Sequence, residues 1–342
     1  MTFPGKTAIR KARMLPLTVG RLCFTFFILF CLLLILRNSE IAIEYIHRGL
    51  LLCAKTVIPA LFPFMVLSEI IVGGELGEQV LKLLARPLYV ILRLPPAGSI
   101  AVLLGLICGS PVGAKCAIRA FECGRLSQNE AERVIACSSA PSSAFVISAI
   151  GVSLWSNRRF GIALYACVLL SSLITGILLA QRARKFPVTQ KTAPYRSAPS
   201  PIDAKLFTSA VASSTKSILL VCAYVVFFSA FVGTLGILLG QCHLPQSLTA
   251  LLFCIFEISG GVSQASAMGG NQLAILFTAF AVGWSGLSVH CQILSLCDST
   301  ALSLRPYFKA KLLQAVLCPI LFLLCTILFP EITLPAEICA RG

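Results

Sequence analysis

Charge is scarce in this chain. Of 342 residues, 12% are Asp, Glu, Lys or Arg, about half the share in a soluble globular domain. Acids are scarcer still, with 13 Asp and Glu against 28 Lys and Arg, a net charge of +15. The chain is 57% hydrophobic, with a mean hydropathy of +0.91. At this length that leaves too little polar surface to cover a water-soluble core, so a soluble enzyme and a disordered chain are both excluded. Histidine occurs only three times, as His47, His243 and His290, without ligand-spaced cysteine partners, so no zinc site is expected. No HExxH, GxSxG or Walker loop occurs, so neither metalloprotease, serine hydrolase nor self-driven ATPase chemistry is expected. The expectation is a protein that is not an enzyme and takes no cofactor and no metal. The 16 cysteines form no CxxC pair. Most lie inside apolar runs, where a free thiol packs as a small hydrophobe.

What is present is a series of apolar segments. Residues 1–21 carry Lys6, Arg10, Lys11, Arg13 and Arg21 and no acid, and an unbroken apolar run, Leu22 to Leu36, follows. No small-x-small cleavage site precedes Arg37, so this reads as a retained first helix with its N-terminus in the cytoplasm. Further apolar segments fall near 50–73, 98–116, 134–154, 160–181, 214–240, 248–268, 272–297 and 310–330. Residues 74–93 read as a surface amphipathic helix. A polar stretch with four prolines interrupts the series. The resulting division is 1–40 (basic N-terminus and first helix), 45–181 (first repeat), 182–213 (cytoplasmic linker), 214–330 (second repeat) and 331–342 (tail).

Two of the segments are broken by small residues, at Gly109-Ser110-Pro111-Val112-Gly113 and at Ser259-Gly260-Gly261-Val262-Ser263. Backbone left unpaired in this way must be buried in protein or line a wet cavity, so both read as re-entrant hairpins. The next helix in each half is broken too, at Ser138–Ser143 and at Gly283–Ser288. Threading the chain from a cytoplasmic N-terminus puts 22 of the 28 basic residues inside, Lys115 and Lys311 among them. This satisfies the positive-inside rule and makes nucleic acid unnecessary as a partner. The two halves then run in opposite orientation. The expected fold is an all-α polytopic membrane protein built of inverted-topology repeats, with two re-entrant helical hairpins and two interrupted transmembrane helices.

Broken helices at corresponding positions of such repeats point to a transporter binding site. Half-helix N-termini at Ser110-Pro111, with Ser as cap and Pro first in the helix, and less clearly at Ser139 with Pro141, favour an anion or a carbonyl-rich solute. The candidate solute-binding residues are Gly109, Ser110, Pro111, Gly113, Lys115, Ser139, Ser142, Ser259, Gly260, Gly261, Ser285 and Ser288. Glu257 is an intramembrane carboxylate. It is either a site for coupling Na⁺ or H⁺, a solute ligand, or a structural acid bonded to the loose backbone beside it. His290 is either a proton shuttle or a core histidine. Glu69 and Asp298 fall near the predicted cytoplasmic face and are discounted. The expected partners are a small anionic or polar solute, Na⁺ or H⁺, the lipid bilayer and, as an open option, further copies of the chain.

Several runs resemble the YlbJ-type sporulation integral membrane proteins of the nucleoside-recognition (Gate) domain group. They are Pro63-Phe64 with Ser68-Glu69, Gly109 to Lys115, Leu126-Ser127 with Glu130-Ala131-Glu132, and Gly286 to Gln292. The resemblance covers roughly residues 45–330. The group is similar in plan to concentrative nucleoside transporters. Where the YlbJ-type run usually has an aromatic before the proline, this chain has Ser110, in Cys108-Gly109-Ser110-Pro111. The resemblance implies a late-sporulation protein that moves dipicolinic acid, a small aromatic dianion, between mother cell and forespore across the outer forespore membrane. The alternatives are a non-transporting partner or gating protein of a sporulation complex, and a nucleoside or ion carrier.

Overall fold

A computed structural model describes residues 16–74, 86–185 and 203–332. The basic N-terminal tail, the first part of the expected surface helix, most of the expected linker and nearly all of the C-terminal tail lie outside the described residues. Those described are helical, with no strand among them, the form that satisfies every backbone group within its own segment in lipid. Four helices are long and apolar enough to cross a bilayer, or six if two sharply bent pairs each count as one span.

Helix Arg305–Leu328 shows how sequence sets the packing. Leu312, Val316, Ile320, Leu324 and Leu328 are exposed, while Tyr307, Lys311, Gln314, Cys318 and Phe322 are buried. Each set recurs every three or four residues, so the two stripes are opposite faces of one helix. An apolar stripe outward and a polar-bearing stripe inward is the pattern for a helix with lipid on one side and protein on the other.

The N-terminal region departs from expectation. The first helix, Pro16–Arg37, meets the next at Asn38 through a bend of 102° rather than an antiparallel turn. The polar stretch between the first two apolar segments is helical: Ser39–Leu52, a wide π-helical turn at Cys53–Val57, and Ile58–Gly73 form one run. Its charges do not oppose this, because Glu44 and Arg48 pair one turn apart. The run packs along the long helix Ala204–Gln241. That helix starts within the stretch assigned to the linker. Segment Arg86–Leu92, the described end of the expected surface helix, meets the first hairpin at 105°.

Both hairpins are present. Hairpin 1 is Pro96–Cys108 folded back on Ser110–Glu122, and hairpin 2 is Gln246–Phe256 folded back on Ile258–Ser266. Their arms touch through glycine. A Cβ on Gly105 would lie 2.7 Å from Gly113 Cα, and one on Gly261 would lie 2.5 Å from Cys254 Cα. Broken helix 1 is Gln128–Ser138 followed by a π-helical half at Phe145–Leu154. Broken helix 2 is Gln272–Trp284 followed by Gly286–Cys297.

Cross-contacts establish the inversion. Arg125, at the open end of hairpin 1, donates to the Val72 carbonyl, and broken helix 1 starts three residues later. The loop after broken helix 2 reaches this same end, where Ser303 N–H donates to Glu132 and Gln128 donates to the Ala301 carbonyl. The open end of hairpin 2 lies at the opposite end, with Gly270 beside Trp155 at the finish of broken helix 1. The hairpins therefore enter from opposite ends, and the broken helices run antiparallel.

Candidate functional site

Each hairpin break lies against the break of the helix that follows it. A Cβ on Gly109 would meet Ser142 at 3.3 Å, and one on Gly286 would meet Ile258 N at 3.0 Å and Glu257 Cα at 3.1 Å. Both glycines have positive φ, +106° and +76°, a region that a side chain disfavours. All four breaks open into one cavity of about 420 Å³. Its polar lining includes Ser110, Ser142, Ser259, Ser288, Gln292 and Glu257. Its apolar lining includes Leu52, Val57, Leu61, Phe145, Val221 and Val225. Both π-helical segments contribute, a geometry common at functional sites. The wall follows Ser148 to Ser153, both exposed, so the cavity reaches toward the Trp155 end.

A break leaves the carbonyls of the first half-helix and the N–H groups of the second without intrahelical partners. Three of these carbonyls accept from neighbouring elements. In hairpin 1, Tyr165 O–H donates to the Leu106 carbonyl and Ser143 to that of Ile107 at 3.3 Å. In hairpin 2, Trp284 Nε1 donates to the Ile255 carbonyl at 3.1 Å.

The N–H groups are treated differently in the two halves. Glu257 is the N-cap of its half-helix and accepts from Ser259 N at 2.9 Å and Gly260 N at 2.6 Å. Its charge is thus met by the positive end of that helix. In hairpin 1 the cap is Gly109, not Ser110 as expected, because the chain turns at the residue whose conformation only glycine adopts readily. Ser110 and Pro111 are the first helical residues, and no side chain caps them. In broken helix 1 the cap is Ser142, whose Oγ accepts from Phe145 N at 3.3 Å, whereas Ser139 only ends the preceding half-helix.

Of the candidate residues, Gly109, Ser110, Pro111, Ser142, Glu257, Ser259, Ser285 and Ser288 line the cavity. The others do not. Gly113 packs on Ser138 and Gly105, and Gly261 on Cys254. Gly260 is tied to Glu257. Ser139 Oγ donates to the Ile135 carbonyl. Lys115 donates to Ser214 at 2.9 Å and pairs with Glu69 at 3.4 Å, which Arg119 also approaches at 3.7 Å. Glu69, discounted as interfacial, is thus the centre of a largely buried ion cluster beside hairpin 1. Asp298 is exposed. His290 is buried against Trp284 and Phe308, with Nδ1 2.6 Å from the Tyr307 hydroxyl, and does not line the cavity.

One residue was misplaced by charge counting. Lys311, assigned to the cytoplasmic surface, is 1% exposed and bonds to both broken helices. A lysine close to other basic residues at a helix start reads as a surface anchor. The helical spacing that puts it in line with Tyr307, Gln314, Cys318 and Phe322 is the signal that locates it.

No group of His, Cys, Asp and Glu among the described residues is arranged to hold a metal ion. Cys31, Cys53, Cys137, Cys254 and Cys318 are free thiols and buried, consistent with packing.

The chain is similar to the sporulation integral membrane protein YlbJ of Bacillus subtilis (strain 168). The two are 27% identical over 337 aligned residues, covering 90% of this chain and 83% of that protein. This extends the YlbJ-type resemblance over nearly the whole chain. No family model matches it, and no solved structure does. The integral membrane relative and the apolar helices together make this a multi-pass membrane protein.

Proposed function

We propose that the protein is a transporter that carries a small anionic or polar solute across the membrane by alternating access, without catalysing a reaction. The observation that carries this is the convergence of both hairpin breaks and both helix breaks, from two inverted halves, on one cavity. An inverted pair has two conformations of similar energy by symmetry, each opening the same site to one side. The cavity lining suits such a cargo. Serine hydroxyls and the Gln292 amide supply donors, and the uncapped start of the Ser110–Glu122 half-helix offers a free N–H and a positive dipole end. The apolar wall suits a flat ring. Both Glu257 carboxyl oxygens accept from backbone N–H groups, which offsets part of any repulsion of an anion.

Dipicolinic acid meets these requirements and accords with the sporulation relative. We place the Gln128 end in the cytoplasm, because Arg119, Arg125, Arg133, Arg305 and Lys309 cluster there. In a spore former the membrane concerned is the one between mother cell and forespore.

The test is uptake of dipicolinate into vesicles containing the purified protein, with a nucleoside and empty vesicles as comparisons. Flux above empty vesicles is expected, and Ser110→Trp, which fills the cavity, should reduce it at least tenfold with the protein still folded and in the membrane. Flux equal to empty vesicles for both solutes, or unaffected by Ser110→Trp, overturns the reading.

A further inference from the structure

Lys311 lies behind the cavity wall rather than on it. Its side chain is buried, and Nζ donates to the Ser139 carbonyl at 2.9 Å, to Ser285 Oγ at 2.8 Å and to Gln314 Oε1 at 3.1 Å. All three acceptors are neutral oxygens, and the ion pairs among the described residues do not include Lys311. The titratable groups around it are Tyr307 and Cys318 on its own helix and His290 on broken helix 2, none of them a carboxylic acid. An ammonium in such surroundings needs every donor satisfied. Each oxygen comes from a different element. Ser139 supplies the carbonyl that ends a half-helix, where the dipole is negative. Ser285 supplies a hydroxyl from the left-handed break of broken helix 2. Gln314 supplies an amide oxygen one turn along.

A helix-end carbonyl, a hydroxyl and an amide oxygen within 3.1 Å of one point are the ligand set that an alkali cation takes at unwound helices. We propose that this is a monovalent-cation site and that Lys311 fills it as a tethered cation, fastening the two inverted broken helices to each other where a diffusible ion would otherwise sit. The carbonyl of one half and the hydroxyl of the other are joined only through this ammonium, so the bond between the halves is permanent and independent of sodium. Ser285 also lines the cavity, so the tether meets the cavity wall at this residue.

The test is the thermal midpoint of the purified full-length protein in choline, sodium, potassium and methylammonium chloride at equal ionic strength. The wild-type midpoint is expected to be the same in all four. Lys311→Ala, which empties the site, should melt lower in choline and recover by several degrees, saturably, in sodium or methylammonium. Lys311→Met, which keeps the volume without the charge, should melt lower and not recover. A Lys311→Ala midpoint indifferent to all four salts overturns the proposal. If Lys311→Ala does not fold, the combination of Lys311→Met with Ser285→Ala decides. Losses smaller than the sum of the single changes support the tether, and additive losses overturn it. No solute enters these measurements, so their failure leaves the transport reading standing, and the failure of flux leaves the cation site standing.

Discussion

The carboxylate of Glu257 was readable in the sequence as an oddity and not as a role. A charge within an apolar run marks a functional or a structural site equally well. The backbone around it settles the geometry: the break turns Ser259 and Gly260 N–H toward the carboxylate, so it acts as the cap of its half-helix. Replacing a side-chain N-cap by alanine costs about 0.5–2 kcal/mol, and somewhat more where the acceptor is charged. Glu257→Ala is therefore expected to destabilise the protein by about 1–3 kcal/mol, and Glu257→Gln by less, because one oxygen can still accept. Thermal melts of the two variants beside wild type check the order. Lys115 gives the opposite lesson. Its place next to a break suggested contact with solute, but a lysine side chain is long enough to reach Glu69 and Ser214 instead.

At the scale of elements, the four breaks were legible because Gly, Ser and Pro clustered in the middle of an apolar run interrupt a helix that lipid would otherwise keep regular. Their pairing was not legible. Gly286 illustrates both points. Its φ of +76° and the backbone of Glu257 and Ile258 within 3.2 Å leave no room for a side chain. Gly286→Ala should cost about 1–2 kcal/mol from the left-handed conformation alone, and more from separating hairpin 2 from broken helix 2. Gly240, exposed in helix Ala204–Gln241 with nothing within 4 Å, is the control. Gly240→Ala should be neutral or stabilising, by up to about 1 kcal/mol. Denaturation midpoints of the pair distinguish a constrained glycine from a dispensable one.

For the whole molecule, the antiparallel arrangement of the halves predicts which thiols share a side. Cys123 lies at the open end of hairpin 1, and the exposed Cys242 lies at the opposite end, before hairpin 2. With the Gln128 end in the cytoplasm, a membrane-impermeant thiol reagent applied to intact cells should modify Cys242 and spare Cys123 until the membrane is permeabilised. Peptide mass mapping reads the outcome. The reverse pattern would invert the orientation without touching the fold.

The membrane class, the hairpins, the interrupted helices and the opposed halves were determined by the sequence alone, because they rest on composition, local breaks and charge distribution along the chain. The course of residues 39–52 was not, since a short polar stretch between apolar runs reads as a loop until a long partner helix lies beside it. The assignment of Lys311 required the tertiary structure for a related reason. Whether a lysine meets water or a cluster of oxygens depends on Ser139 and Ser285, which are distant in the chain and brought together by packing. Burial of a charge is a property of the assembled neighbours, and no window of sequence contains them.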